Sequence, residues 1–166
     1  MYREKIEELK KWKESPNRKP LIIRGARQVG KTWLMKEFGE KYYDKYAYIN
    51  FDDNTRMNKL FEEDFDLDRI IQGFKIESGV NIEAKNTLII LDEIQESPKA
   101  LKALKYFCEN AREYHIISAG SLLGVAIHEG TSFPVGKVDF LDLKPLSFFE
   151  FIEAIRRKWI IKIIKK

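Results

Sequence analysis

The chain has 166 residues, of which 44% are hydrophobic and 34% are charged, as expected of a soluble globular domain with its own core. No apolar run approaches the length of a membrane span, and the first residues lead into a charged helix instead of a secretory signal. The single cysteine, Cys108, excludes an internal disulfide. We therefore expect a cytoplasmic protein without a transmembrane segment.

The formal net charge of +4 is concentrated at one end of the chain. Six cations follow residue 155, namely Arg156, Arg157, Lys158, Lys162, Lys165 and Lys166. Without them, 24 lysines and arginines stand against 26 aspartates and glutamates, a net charge of −2. The body of the domain therefore carries no strong signal for nucleic-acid binding.

Apolar periodicity predicts alternating helices and strands in the first half of the chain. The predicted elements are a surface helix over 3–14, a buried strand over 21–23, a helix from Thr32 and a strand over 46–51. From 55 to 85 the pattern is helical but broken, and we predict turns at Gly73 and Gly79.

The second half continues the alternation. A continuous apolar run over 87–91 is the clearest buried strand, and further strands are predicted over 115–118 and 138–141. Between them, Ser97 and Pro98 start a helix as N-cap and first helical residue. This alternation predicts an α/β fold, with a parallel sheet covered on both faces and ligands bound at the carboxyl ends of the strands.

Residues 25–32 read G-x-x-x-x-G-K-T, the phosphate-binding P-loop, between a predicted strand and a predicted helix. The two glycines allow backbone N–H groups to face phosphate oxygens, at a helix N-terminus that favours anions. Lys31 would reach the β- and γ-phosphates, and the Thr32 hydroxyl is suited to Mg²⁺. The residues expected to contact nucleotide are Gly25, Ala26, Arg27, Gln28, Val29, Gly30, Lys31, Thr32 and Trp33.

Asp92 and Glu93 follow the buried strand, 61 positions after Lys31, in the Walker B pattern. Asp92 would hold Mg²⁺, commonly through water, because this ion prefers carboxylate oxygens and keeps part of its hydration shell. Glu93 would polarise the attacking water as a general base. The competing interpretation of the pair is a solvated strand end.

Other polar residues also follow strands. Ser121 comes after the strand at 115–118 and could contact the γ-phosphate or the attacking water, although a helix N-cap explains it nearly as well. Asn50 and Asp52 end the second strand, where exposed capping is the simpler interpretation. His128 has no partner motif and is assigned no role.

Four segments resemble the prokaryotic AAA-type ATPases, a branch of the P-loop NTPase superfamily: LIIRGARQVGKT, TLIILDEIQ, HIISAGSLLG and SFPVGKVDFLDLKPLSFFEF. The similarity covers roughly residues 15 to 155. It implies a three-layer fold with a sheet of about five strands in the order 5-1-4-3-2, and binding of ATP with Mg²⁺. It implies nucleotide contacts or catalytic roles for Gly25, Gly30, Lys31, Thr32, Asp92, Glu93 and Ser121.

The chain departs from that family in two respects. Members usually have arginine where this chain has Lys137, which places an arginine role there in doubt. Members typically continue into a C-terminal domain of poorly understood function, so we expect this chain to be a truncated product or an excised domain.

We divide the chain into an ATPase domain, 1–146 with its core at 20–146, and a basic amphipathic helix at 147–166. Ser147 and Glu150 form a capping box at the start of that helix. A basic amphipathic helix suits a membrane surface or a partner. We favour a helix that packs on a missing lid or C-terminal domain, and we expect the exposed helix to make this chain self-associate or require a protein partner.

The leading hypothesis is an ATPase whose hydrolysis of ATP drives a conformational change in another domain or partner. A P-loop kinase is less favoured, because Glu93 would activate water beside the phosphate. A guanine-nucleotide switch is less favoured because Asn58, Lys59, Leu60 and Phe61 lack the final aspartate of N-K-x-D. A regulatory or assembly module that binds ATP with little turnover is the main alternative.

Overall fold

A computed structural model describes residues 4–120, 134–152 and 155. Its centre is one sheet of five strands, β1 Leu21–Arg24, β2 Lys45–Asn50, β3 Thr87–Asp92, β4 His115–Gly120 and β5 Asp139–Asp142. All neighbouring strands are parallel, in the order β2-β3-β4-β1-β5. The predicted order 5-1-4-3-2 is confirmed, because it is the same sheet named from the other edge.

Helices cover both faces of the sheet. They are α1 Lys5–Glu14, α2 Lys31–Tyr42, α3 Thr55–Lys59, α4 Leu67–Ser78 and α5 Pro98–Asn110, with a 3-10 turn at Ile94–Glu96. Buried residues of α1 and α2 pack on one face, and those of α3, α4 and α5 pack on the other. The predicted three-layer α/β architecture is therefore confirmed.

The apolar run of β3 explains why this strand lies inside the sheet. All six of its residues are buried, and its side chains alternate between the two faces. Ile89 and Leu91 join the core beneath α4 and α5, whereas Leu88 and Ile90 join the core beneath α1 and α2. A strand covered on both faces needs apolar residues at every position, which is the pattern in the sequence.

One of the local predictions, the turn at Gly73, needs correction. Gly73 lies inside α4 and does not mark a turn; a Cβ atom there would come within 2.5 Å of the Leu60 side chain, so glycine allows that close packing. Gly79 does end α4, with a left-handed φ of 67°. Ser97 is the N-cap residue of α5 and Pro98 follows it as predicted, although the Ser97 side chain makes no capping hydrogen bond.

The capping box at the start of the last helix is confirmed. The Ser147 N–H donates to Glu150 Oε2 at 2.9 Å, and the Glu150 N–H donates to Ser147 Oγ at 3.2 Å. The other Glu150 oxygen accepts the Glu4 N–H at 3.1 Å, which joins this helix to the region before α1. No helix within the described ranges is both long and apolar enough to cross a bilayer.

The strand registers bring the segments that hold the predicted site residues to the carboxyl ends of the strands, at one end of the sheet. Arg24, the last residue of β1, lies opposite Gly120 and Asp142, the last residues of β4 and β5. Asn50 at the end of β2 lies opposite Asp92 at the end of β3. Because all strands are parallel, the segments that follow them emerge together at this end.

Candidate nucleotide-binding site

The loop between β1 and α2 is shaped by its two glycines. At Gly25, a Cβ atom would lie 2.3 Å from the carbonyl oxygen of Leu143, so only glycine fits without displacing that backbone. At Gly30, φ is 92° and the residue occupies the N-cap position of α2. Glycine adopts this left-handed conformation without the strain that a side chain adds. The loop therefore leads directly onto the N-terminus of a helix of 12 residues.

Lys31 is the first residue of α2, and only 7% of its surface is exposed. Its ammonium group donates to two loop carbonyls, those of Gly25 at 2.9 Å and Ala26 at 2.8 Å. Burial lowers the pKa of Lys31, while the negative charges of Glu93 and Asp92 oppose this effect. The cation is thus held against the loop by hydrogen bonds that a phosphate could replace.

Thr32 and Asp92 connect the loop to the end of β3. The Thr32 hydroxyl donates to Asp92 Oδ2 at 2.7 Å, and Asp92 is only 3% exposed. The Glu93 N–H donates to the other carboxylate oxygen, Oδ1, at 3.1 Å. A hydroxyl and a carboxylate in contact provide the oxygen donors that Mg²⁺ prefers.

Tyr48 also contacts Asp92. Its hydroxyl donates to Asp92 Oδ2 at 3.0 Å from the neighbouring strand β2. Burial raises the pKa of Tyr48, and the charge of Asp92 raises it further, so the phenol keeps its proton and acts as a donor. No sequence motif pointed to this residue, because the contact depends on the pairing of β2 with β3.

Glu93 adopts a left-handed conformation with φ 49° and ψ 43°. A residue with a side chain rarely occupies this region, and such strain is concentrated at functional sites. The side-chain amide of Gln95 donates to Glu93 Oε2 at 2.6 Å. The Gln95 oxygen Oε1 is buried and has no hydrogen-bond partner among the described residues.

A cleft of about 560 Å³ lies over the loop, a volume within the usual range for small-molecule sites. Its lining residues are Arg27, Gln28, Gly30, Lys31, Thr32, Trp33, Asp52, Glu93, Gln95 and Glu96. The structure thus brings six of the predicted loop and helix residues together with Glu93. Gly25, Ala26 and Val29 are absent from this lining set, although Gly25 and Ala26 hold Lys31.

Three lining residues were not predicted as site residues. Asp52 was interpreted only as a capping residue at the end of the second strand. Its N–H does donate a local hydrogen bond to Asn50 Oδ1 at 3.0 Å, and the residue also lines the cleft. Gln95 and Glu96 enter through the 3-10 turn after β3. Their position directly after a strand was the available sequence signal. The predicted Ser121 and the unassigned His128 lie outside the described residues.

Lys137 lies near the amino ends of the strands, whereas the cleft lies over their carboxyl ends. It precedes β5, whose first residue Asp139 is the register partner of Leu21, the first residue of β1. Lys137 Nζ lies 2.8 Å from Glu109 Oε1 near the end of α5. The P-loop follows the other end of β1, so Lys137 is too far away to contact a phosphate in the cleft of its own chain.

The family model described as "AAA domain" matches residues 17–152, which is most of the chain. This chain belongs to the AAA domain family. Membership supports nucleotide binding and hydrolysis as the general activity of this AAA domain. A search of curated proteins gives no match.

Solved structures agree on the fold. The Walker-type ATPase of Pyrococcus abyssi aligns with a TM-score of 0.56 at 18% identity, over 93% of this chain and 57% of that protein. The ORC1 protein of Aeropyrum pernix, solved in complex with DNA, aligns with a TM-score of 0.56 at 13% identity, over 95% of this chain and 49% of that protein. The chain therefore spans about half the length of these two proteins, and at these identities the likeness shows the fold alone.

Proposed function

We propose that this chain binds ATP with Mg²⁺ in the 560 Å³ cleft and hydrolyses the γ-phosphate bond there. The observation that carries the proposal is the 2.7 Å hydrogen bond from Thr32 to Asp92. It joins the phosphate-binding loop to the buried carboxylate of Asp92, which directly precedes Glu93, and Glu93 lines the cleft. The loop and the acidic pair are distant in sequence, so their contact supports one composite site.

Lys31 and the loop backbone are the groups that would bind the phosphates. Lys31 would exchange its bonds to the Gly25 and Ala26 carbonyls for bonds to phosphate oxygens. A phosphate oxygen carries negative charge whereas a carbonyl oxygen is neutral, so the exchange adds Coulomb attraction to the bonds of the ammonium group. The N-terminus of α2 adds its partial positive charge to the same site.

Thr32 and Asp92 are the residues that would hold Mg²⁺. Their oxygens fit this ion, and among the described residues no group of three or more His, Cys, Asp or Glu side chains forms a metal cage. Mg²⁺ at nucleotide sites commonly uses one or two carboxylates with substrate phosphates and water, so a cage is not required. When bound, the ion would supply positive charge to the β- and γ-phosphates.

Glu93 would act as general base toward a water in line with the γ-phosphate. The Gln95 amide bonds one oxygen of Glu93, Oε2, and so restrains the carboxylate on the wall of the cleft. A carboxylate able to activate water favours hydrolysis over transfer to another acceptor. For this reason we place a small-molecule kinase below an ATPase.

A binding module with little turnover is the second candidate, and the position of Lys137 favours it. Phosphoryl transfer gains about 10³–10⁵ in rate from an arginine finger. Lys137 is paired with Glu109 near the amino ends of the strands, so it cannot supply that charge within one chain. Full activity would then need a cation from a neighbouring molecule.

We further propose that nucleotide state is passed to another domain or a protein partner through the segment after β5. Leu143 in this segment contacts Gly25, and the Leu143 N–H donates to the Arg24 carbonyl at 2.7 Å. The following helix exposes large apolar side chains, including Phe148 at 72% and Phe149 at 79% exposure. Exposed aromatic clusters are typical of interaction surfaces, which supports a partner at this helix.

The test is phosphate release from ATP by the whole chain, with Mg²⁺ or with EDTA, and with or without candidate phosphate acceptors. An ATPase releases phosphate only with Mg²⁺ and without any acceptor. Turnover below about 1 s⁻¹ together with tight ATP binding would favour the binding module, since median enzymes turn over near 10 s⁻¹. Phosphate transfer that requires an acceptor would favour the kinase.

A further inference from the structure

The Tyr48 hydroxyl contacts Asp92, although Tyr48 belongs neither to the phosphate-binding loop nor to the acidic pair. Asp92 Oδ2 accepts two hydroxyl hydrogen bonds, from Thr32 at 2.7 Å and from Tyr48 at 3.0 Å. The two donors come from different elements, since Thr32 is on α2 and Tyr48 is on β2. Only the first of them belongs to the P-loop pattern.

The Tyr48 ring is held in place between the sheet and α2. It packs against the core cluster beneath α1 and α2. Lys36 Nζ on α2 lies 3.7 Å from the ring centroid, a cation–π contact. Lys36 is one helical turn after Thr32, so the same helix presents Thr32 to Asp92 and Lys36 to Tyr48. The core cluster and Lys36 together hold the ring, and its hydroxyl contacts Asp92.

A bound metal would change the partners of Asp92. If the Thr32 hydroxyl turns its oxygen toward Mg²⁺, it no longer holds Oδ2. Two donors then remain to Asp92 among the described residues, the Tyr48 hydroxyl on Oδ2 and the Glu93 N–H on Oδ1. One donor on each oxygen fixes the plane of the carboxylate. Outer hydrogen bonds of this kind orient carboxylates at metal sites, and their loss commonly weakens metal binding.

We propose that Tyr48 is a positioning residue that orients the Asp92 carboxylate for the Mg²⁺ of the bound nucleotide. The inference rests on the function proposed above. Tyr48 touches neither nucleotide nor metal in this account, and it acts only through Asp92. Its removal should therefore weaken the contribution of the metal to ATP binding, and leave the metal-independent part unchanged.

The experiment is calorimetric titration of ATP into the whole chain, in excess Mg²⁺ and in EDTA, for wild type, Tyr48→Phe and Tyr46→Phe. Tyr46 is a matched control, because it lies on the same strand and face and its hydroxyl has no hydrogen bond among the described residues. The ratio of the two affinities measures the contribution of the metal. Thermal unfolding of each variant serves as the control for folding.

We expect Tyr48→Phe to lower that ratio roughly tenfold to a hundredfold, the usual effect of losing an outer hydrogen bond to a metal-binding carboxylate. Affinity in EDTA should stay within about twofold of wild type, and Tyr46→Phe should change neither value. An unchanged ratio in Tyr48→Phe, or an equal fall in Tyr46→Phe, would overturn the role of Tyr48 and leave the proposed function standing. Absence of ATP binding by the wild type would overturn the proposed function itself.

Discussion

The Thr32 hydroxyl donates to the Asp92 carboxylate at 2.7 Å, across 60 positions of sequence. This contact joins the start of α2 to the end of β3 and so fixes the phosphate loop against the acidic pair. Two polar side chains rarely meet at a buried position without a structural or chemical reason, because burial of a charge is costly unless it is hydrogen-bonded. In this AAA domain the contact assembles the proposed magnesium and phosphate sites.

Replacement of Glu93 by glutamine should separate ATP binding from hydrolysis. The amide keeps the shape of the side chain but cannot accept a proton from water. Turnover should fall by about 10²–10⁴, the usual contribution of a general base, while ATP affinity changes little. Phosphate release and calorimetry measure the two quantities. Glu96→Gln is the matched control because Glu96 lines the same cleft. Hydrolysis by Glu93→Gln at the wild-type rate would place the base elsewhere.

Replacement of Gly25 by alanine should damage both the fold and the site. The added Cβ atom would meet the Leu143 carbonyl at 2.3 Å, so one of the two backbones must move. We expect a loss of about 1–3 kcal/mol in the free energy of unfolding, as for other overpacked positions, together with weaker ATP binding. Urea denaturation and calorimetry measure these effects.

Gly136→Ala is the control for Gly25→Ala. Gly136 has a φ of 72° with open space around its Cβ position, and it lies near the amino ends of the strands beside Lys137. Alanine there should cost about 1–2 kcal/mol through backbone strain and leave ATP affinity unchanged. If both variants lower ATP affinity equally, the Gly25–Leu143 contact has no special link to the site.

Stability should depend on the charge state of His115. Its ring is buried, and the Tyr43 hydroxyl lies 2.7 Å from Nδ1. Burial, together with the smaller effect of the positive charges of Arg18, Lys13 and Lys85, lowers the pKa of His115 to about 4. The ordinary pKa is near 6.5, so the unfolded chain binds this proton first as the pH falls. The stability due to His115 is therefore complete above about pH 6.5 and is lost as the pH falls from 6.5 toward 4.

Thermal unfolding at pH 7 and pH 5 measures this effect before most carboxylates titrate. The midpoint of the wild type should fall by several degrees over this interval. His115→Gln removes the titrating group, so its midpoint should fall less, even if the variant starts from a lower stability. Parallel curves for the two proteins would show that His115 does not control the acid response.

The sheet could be predicted from sequence because its signals are local. The apolar run at 87–91 and the glycine pattern at 25–32 both depend on neighbouring residues, and both lie where they were expected. The strand order came from resemblance to AAA-type ATPases, since periodicity alone does not say which strands pair. Gly73 was misinterpreted because its role depends on Leu60, which is distant in sequence and packs against the helix.

The site was predictable only where a motif marks it. Lys31, Thr32, Asp92 and Glu93 follow spacing rules, and the structure brings them to one end of the sheet. Tyr48 and Asp52 reach that end through the register of β2 against β3 and the turn that follows, which no local pattern reveals. The burial of Lys31 against two loop carbonyls could likewise not be predicted from the sequence, because it depends on the path of the folded loop.

The central claim, that the cleft over Lys31 binds ATP, is tested most directly by calorimetric titration of ATP with Mg²⁺ into wild type, Lys31→Ala and Lys41→Ala. Lys41 lies on the same helix but is exposed and paired with Glu37. Loss of a charge-assisted contact to phosphate should lower the ATP affinity of Lys31→Ala by about tenfold or more, with wild-type affinity in Lys41→Ala. Equal ATP affinity in wild type and a folded Lys31→Ala would contradict the claim.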